Sequence, residues 1–470
     1  MSAPAPSDAL VFFGATGDLA YKQIFPALAA LVGRGALDAP IVGVALSGWR
    51  LDELRARARD SLEHHGGVDR RTFDKLCSLL RYVDGDYADL STFERLRREL
   101  GGARCPLHYL AIPPSAFPAV IDGLARSGCA AEARVALEKP FGRDLASARA
   151  LNRTLHGVFA EPSIFRIDHY LGKEAVLNLL YFRFANLSFE SVLDRQHVDA
   201  VQITMAEDFG VRGRGKFYEE TGAIRDVIQN HMLQLVAILA MDPPVGNDVE
   251  TVRDEKARIL KAIAPLDPDH VVRGQFRGYR DEPGVARDST VETFAAVALQ
   301  VESWRWAGVP FLIRAGKRLS MTATEIRVTL KQPPRDMYGE ESHSTQYLRF
   351  RIGPDVTAIA LGMRVKRPGE AMVGREVELL ASESQAGDML PYERLLGDAL
   401  RGDANLFARE DAIEAQWRIV DPVLDLEAPP IEYEPGSWGP RDADRLVDGI
   451  PGGWREPVRS AAPAANGRQS

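Results

Sequence analysis

A chain of 470 residues, 45% of them apolar, is long enough for two or three domains around a large buried core, and it holds no run of about 18 apolar residues to cross a membrane. The formal net charge of -8 argues against a nucleic-acid partner, and residues 1–7 lack the basic and apolar segments of a secretory signal. Three scattered cysteines, Cys77, Cys105 and Cys129, make neither a disulfide framework nor a zinc site, and a reducing cytoplasm fits best.

In chain order, Ala9-Leu10-Val11-Phe12-Phe13 reads as a strand, Gly14-Ala15-Thr16-Gly17-Asp18-Leu19 as a glycine turn, and residues 19–32 as a helix with apolar positions Ile24, Leu28 and Leu31. Strand, glycine turn and helix open a nucleotide-binding unit. The glycines let the backbone approach a pyrophosphate seated on the helix N-terminus. The turn is GxxG, shorter than the full GxGxxG fingerprint. Further strands are expected at 41–46, 107–112 and 134–137, with helices such as 51–63 and 91–100 between them. Such alternation predicts a parallel, doubly wound sheet of Rossmann type.

The residue closing the second strand of such a sheet selects the dinucleotide. An acid accepts from the ribose 2′-hydroxyl of NAD, and an arginine receives the 2′-phosphate of NADP. Here the strand runs into Leu46-Ser47-Gly48-Trp49-Arg50 with no acid, and Asp38 lies before it. Ser47 is suited to donate to a 2′-phosphate. Arg50 either pairs with that phosphate, stacks on the adenine, or faces solvent at a helix start.

Glu138-Lys139-Pro140 follows the strand 134–137, at the carboxyl edge where open sheets bind ligands. Lys139 there reaches both a nicotinamide and a substrate, and Pro140 keeps it out of the helical region and admits a cis bond. Arg166-Ile167-Asp168-His169-Tyr170-Leu171-Gly172-Lys173-Glu174 gathers an acid, an imidazole, a phenol and an amine in a few positions. A helix is expected at 174–186 from the spacing of Val176, Leu179, Leu180 and Phe184. His169 and Lys173 then straddle its first turn, where free N–H groups and the dipole favour a phosphate or carboxylate.

From about residue 198 the texture changes to strands, expected at 200–205, 293–301, 311–313, 326–330 and 347–352, with few helices among the later ones. This predicts a larger α+β domain on a mostly antiparallel sheet. The organisation expected is a disordered start at 1–7, a Rossmann dinucleotide-binding domain at 8–185, an α+β substrate and dimerisation domain at 186–455, and a disordered tail at 456–470. After a glycine and arginine loop at 210–215, a helix over 223–240 carries an apolar stripe of Ile224, Val227, Ile228, Leu235 and Leu239 with His231 inside it. A histidine so placed is either a satisfied core residue or a group delivered to a cleft. Asp226 and Asn230 share a polar face, and Arg314-Ala315-Gly316-Lys317-Arg318 adds positive charge suited to an anionic ligand.

With Arg225-Asp226-Val227-Ile228-Gln229-Asn230-His231 and Arg253-Asp254-Glu255-Lys256, these segments in this order resemble the glucose-6-phosphate dehydrogenase family over about residues 9–448, the stretch 166–174 most closely. The resemblance implies oxidation of the C1 hemiacetal of glucose 6-phosphate to a lactone, the entry step of the pentose phosphate pathway, with reduction of NADP or NAD. It implies His231 as general base and Asp168 as its orienting acid. It places His169, Tyr170 and Lys173 around the 6-phosphate, and Lys139, Glu207, Asp226 and Lys317 around the sugar ring. Gly14, Ala15, Thr16, Gly17, Asp18, Leu19, Ser47, Arg50 and Lys139 fall to the cofactor. A homodimer or homotetramer is expected.

Three positions depart from the family. Leu46 stands where an arginine commonly grips the 2′-phosphate, Gln23 where a lysine is frequent, and Thr322 near a second basic position. They leave cofactor preference and sugar choice open. Two other readings compete: a sugar oxidoreductase of the glucose-fructose oxidoreductase type, which shares the Glu-Lys-Pro segment but does not need the stretch 166–174, and a catalytically silent sugar-phosphate-binding regulatory protein.

Overall fold

The computed structural model describes residues 5–246, 248–335, 337–338, 346–354, 356–383 and 389–458. They form two compact units. The first comprises Met1–Lys173, Pro244–Asp254 and Met389–Glu414, the second Glu174–Pro243, Glu255–Asp388 and Ala415–Ser470. No helix among the described residues is long and apolar enough to cross a membrane.

The first unit is built on six strands: β1 (Ala9–Phe13), β2 (Ile41–Ala45), β3 (Leu80–Asp84), β4 (Pro106–Leu110), β5 (Arg134–Glu138) and β6 (Ile164–Ile167). They run in the order β3-β2-β1-β4-β5-β6, and every neighbouring pair is parallel. Every residue of β1 is buried, as a strand covered on both faces by helices requires. Its core packs Leu10 and Phe12 with Phe25, Leu28 and Leu54, and with Leu395 and Leu396 of the helix Pro391–Arg401. The helix after the glycine turn opens with a wide π-helical stretch, Ala20–Ile24, and becomes α at Phe25–Gly33. Pro26 has no N–H to give the ladder just there. Of the expected disordered ends, residues 1–4 and 459–470 lie outside the described residues. Ala5 and Ser7 are held, their oxygens accepting from the Arg134 guanidinium at 2.6 and 2.8 Å.

The second unit carries nine strands: β7 (Val198–Ala206), β8 (Val271–Phe276), β9 (Phe294–Gln300), β10 (Pro310–Gly316), β11 (Ala323–Leu330), β12 (Tyr347–Gly353), β13 (Thr357–Lys366), β14 (Gly374–Glu383) and β15 (Ile431–Tyr433). Their order is β14-β13-β12-β11-β7-β10-β9-β8-β15. Only the pairs β7/β10 and β8/β15 are parallel, so the sheet is mostly antiparallel as expected. The helix expected over 223–240 is two pieces, a π-helix at Ile224–Met232 and an α-helix at Leu233–Ala240. The second is buried along its whole length.

Candidate active site

The glycine turn after β1 is tight because it must be. Gly14 has φ +79°, and a Cβ there would lie 2.2 Å from the Ala111 carbonyl oxygen. The Gly17 N–H donates back to the Gly14 carbonyl at 2.9 Å, and the Tyr21 N–H to the Gly17 carbonyl at 3.1 Å. Ala15 is buried, Thr16 and Leu19 half-buried, and Gly17 and Asp18 exposed, so the turn offers bare backbone at the start of a helix. This cradle fits the pyrophosphate of a dinucleotide. Lys22 pairs with Asp18 at 3.3 Å, a nearby cation that the motif does not single out, while Gln23 is exposed.

In the segment after β2, Ser47 is engaged within the fold itself. The Ser47 hydroxyl is 2.7 Å from the Tyr82 hydroxyl, and the Ser47 and Gly48 N–H groups donate to Asp84 Oδ1 at 3.0 and 2.8 Å. Arg50 precedes the helix Leu51–His64 and is exposed, its own N–H donating to Glu53 Oε2 at 2.7 Å. Leu46 is 66% exposed. Asp84 and Tyr82 escape a sequence reading because β3 alternates weakly and comes from far along the chain.

At the carboxyl end of β5, Glu138 is buried and accepts from the Tyr109 hydroxyl at 2.6 Å and the Tyr392 hydroxyl at 3.3 Å. Burial pushes its carboxyl up to about 7 against the pull of those donors and of Lys139. Lys139 follows, half-buried, joined to Pro140 by a cis bond.

The stretch 166–174 divides its labour. Arg166 is buried and spans Glu161 (2.7 and 3.1 Å) and Asn152 (3.0 Å), so it anchors β6 rather than a ligand. Asp168 is buried and its Oδ1 accepts from the Tyr170 N–H at 3.0 Å. That bond and the Leu171 N–H to Asp168 carbonyl bond (3.0 Å) fold residues 168–173 into a turn. His169 and Lys173 sit in this turn and not in the first turn of the helix Glu174–Ala185, because the turn closes on itself before the helix begins. The Lys173 ammonium lies 3.7 Å from the Tyr170 ring centroid. Gly172 is needed for packing, since a Cβ would meet the Pro391 carbonyl oxygen at 2.9 Å.

In the second unit, β7 and β10 are parallel neighbours with Ala206 opposite Gly316, so the residues one step past them meet. These are Glu207 and Lys317, a close ion pair. Lys317 is 7% exposed and faces the rings of Phe209 and Tyr218 at 5.1 and 5.6 Å. Burial holds the Tyr218 phenol well above its ordinary range, reinforced by the charges of Asp226, Glu207 and Glu292, which places Asp226 and Glu207 in one electrostatic environment. Thr322 donates to Asp208 at 2.5 Å. His231 is 2% exposed on the π-helix. The N-terminus of that helix is held by Glu292, which accepts from the Ile224 N–H at 3.0 Å. A wide π turn re-aims side chains relative to an α-helix and is frequent at functional sites.

A parallel sheet with a glycine cradle and a lysine at its carboxyl edge defines a nicotinamide dinucleotide oxidoreductase. Residues 11–178 match the model of the glucose-6-phosphate dehydrogenase NAD binding domain, and residues 180–455 that of the C-terminal domain. Glucose-6-phosphate 1-dehydrogenase 1 of Mycobacterium tuberculosis is 44% identical over 456 residues, which cover 96% of this chain and 97% of that protein. The crystal structure of glucose-6-phosphate 1-dehydrogenase from Mycobacterium avium superposes with a TM-score of 0.91 at 45% identity, covering 97% of this chain and 100% of the other. A glucose-6-phosphate dehydrogenase solved in complex with glucose 6-phosphate gives a TM-score of 0.88 at 34% identity with the same coverage. The chain belongs to the glucose-6-phosphate dehydrogenase family.

Proposed function

We propose that the chain oxidises glucose 6-phosphate at C1 to 6-phosphogluconolactone with NADP as acceptor, the entry step of the pentose phosphate pathway. One observation carries the reading: the turn 168–173 presents an imidazole, a phenol and an ammonium together just past the carboxyl end of β6. Such a group of donors suits a phosphate dianion.

His169, Tyr170 and Lys173 hold the 6-phosphate. Lys139, Glu207, Asp226 and Lys317 hold the ring hydroxyls, and their close pairing makes Glu207 a fixed acceptor and Lys317 a fixed donor. His231 takes the C1 hydroxyl proton as the C1 hydrogen departs with its electron pair. Asp168 stabilises the imidazolium so formed. When bound, the nicotinamide supplies the carbon that accepts the hydride. Residues 14–19 cradle its pyrophosphate, and Ser47 and Arg50 lie toward the adenosine ribose.

In this reading residues 8–185 serve as the dinucleotide-binding domain and 186–455 as the substrate and dimerisation domain. A cytoplasmic homodimer or homotetramer is the working form, supported by three free cysteines and by the exposed apolar Leu379 and Leu380 on the edge strand β14. Light scattering on the purified protein checks the assembly. The activity is tested by the appearance of reduced nicotinamide absorbance with glucose 6-phosphate and with free glucose. Turnover that does not require the 6-phosphate would refute the role of the turn.

A further inference from the structure

The loop between β2 and its following helix is rich in backbone donors, and carboxylates occupy them. Asp84 Oδ1, at the carboxyl end of β3, accepts from the N–H groups of Ser47 and Gly48. Glu53 accepts from Arg50. The Ser47 hydroxyl is engaged with Tyr82, whose hydroxyl also donates to Asp84 Oδ1 at 3.0 Å. Desolvation opposes the charge on Asp84, yet the donors from Ser47, Tyr82 and Gly48 hold its carboxyl below the ordinary range, so it is ionised at neutral pH.

The guanidiniums nearby are held by other groups. Arg95 is tied to the Asp84 main-chain carbonyl at 2.8 Å and to Ser91. Arg55 donates to the Cys77 carbonyl at 2.9 Å and pairs with Asp52. Arg50 is the one basic side chain of the loop itself, residues 46–50, against the carboxylates of Asp84 and Glu53. The side chain directly after β2, Leu46, is apolar and exposed. A phosphate dianion placed here would displace a carboxylate from its donors or lie beside it, whereas a ribose hydroxyl would find an acceptor.

We propose that this end of the dinucleotide site is shaped for an unphosphorylated ribose, so that the chain takes NAD alongside NADP, with Asp84 and Leu46 setting the balance. The inference rests on the reading of the parallel sheet as the dinucleotide site, and it is tested by binding alone. Dissociation constants for NAD and NADP, and for adenosine 5′-monophosphate and adenosine 2′-monophosphate as probes of this end, are measured by calorimetry on the whole chain without sugar phosphate.

The expected result is NAD bound within about tenfold of NADP, or more tightly, and no preference for the 2′-monophosphate. Leu46→Arg, at an exposed position, is expected to tighten NADP and adenosine 2′-monophosphate by about tenfold or more while leaving NAD within about twofold; Asp84→Asn is expected to shift the ratio in the same direction. NADP bound about a hundredfold more tightly than NAD by the parent chain, or a Leu46→Arg variant with an unchanged ratio, overturns the inference while the activity stands. Failure to bind any dinucleotide overturns both.

Discussion

Tyr392 lies flat against His169, ring planes 8° apart and centroids 6.4 Å apart, and its hydroxyl donates to buried Glu138 at 3.3 Å. One side chain from residue 392 therefore backs an imidazole proposed to hold phosphate and satisfies the acid that precedes Lys139. Removing the ring in Tyr392→Ala is expected to raise KM for glucose 6-phosphate several-fold, with a smaller effect on kcat. Tyr392→Phe keeps the stack and is expected to keep KM near the parent value. Equal KM values for parent and Tyr392→Ala would show that the stack does not position His169.

Glu138 couples stability to pH. Burial raises its folded pKa from an ordinary 4.5 to about 7. The folded state therefore binds more protons than the unfolded state between those values, so the contribution is fully present below the lower one and is lost as pH rises through the upper one. The loss is on the order of 3 kcal/mol. Glu138→Gln abolishes the titration. Unfolding followed from acid to neutral pH should show the parent losing stability relative to this variant, and parallel profiles would count against the assignment.

His231 and Lys173 carry separable roles in the proposed reaction. His231→Asn is expected to lower kcat by about a hundredfold or more while leaving substrate binding close to the parent. Lys173→Ala is expected to raise KM by about tenfold or more through loss of a charge-assisted contact to phosphate. Steady-state kinetics with glucose 6-phosphate separates the two. A His231→Asn variant turning over at the parent rate would remove it as the base.

Gly222 enables the turn that starts the π-helix. Its φ is +64°, and a Cβ would lie 2.4 Å from Glu292 Oε1, the oxygen that receives the Ile224 N–H. Gly222→Ala combines backbone strain with displacement of that carboxylate, at a cost on the order of 1–3 kcal/mol in stability. It should also lower kcat, since His231 rides on the same helix. A variant matching the parent in both Tm and kcat would contradict this account.

Glu161 holds two buried guanidiniums, with Arg166 at 2.7 Å and Arg253 at 3.5 Å. Glu161→Gln leaves both with less counter-charge and is expected to cost about 3 kcal/mol or more. Denaturant unfolding measures the loss. An unchanged midpoint would mean that solvent or other carboxylates compensate.

Local features were open to a sequence reading. The apolar run 9–13, the glycine turn after it and the alternation of strands and helices predict β1, β2, β4, β5 and a parallel sheet, because strand burial and helix periodicity are written in neighbouring residues. Segments 138–140 and 166–174 are visible for the same reason: their chemistry is dense over a few positions. β3 and β6 carry no clear sequence signal, β3 having only two buried positions in five and β6 having a charged residue inside a four-residue strand.

What the sequence by itself determined is the family's order of motifs and the identity of the groups that would do chemistry. Tertiary structure alone decided what those groups meet. Asp84 reaches Ser47 across 37 positions and Tyr392 reaches Glu138 across 254, distances over which no periodicity carries information. The apolar residues of Ile224–Met232 are spaced as an α-helix would space them, so only the folded backbone reveals the π turn. Pairing of distant polar atoms is set by the closure of the whole sheet, and that is why the ribose end of the site was invisible until the strands stood side by side.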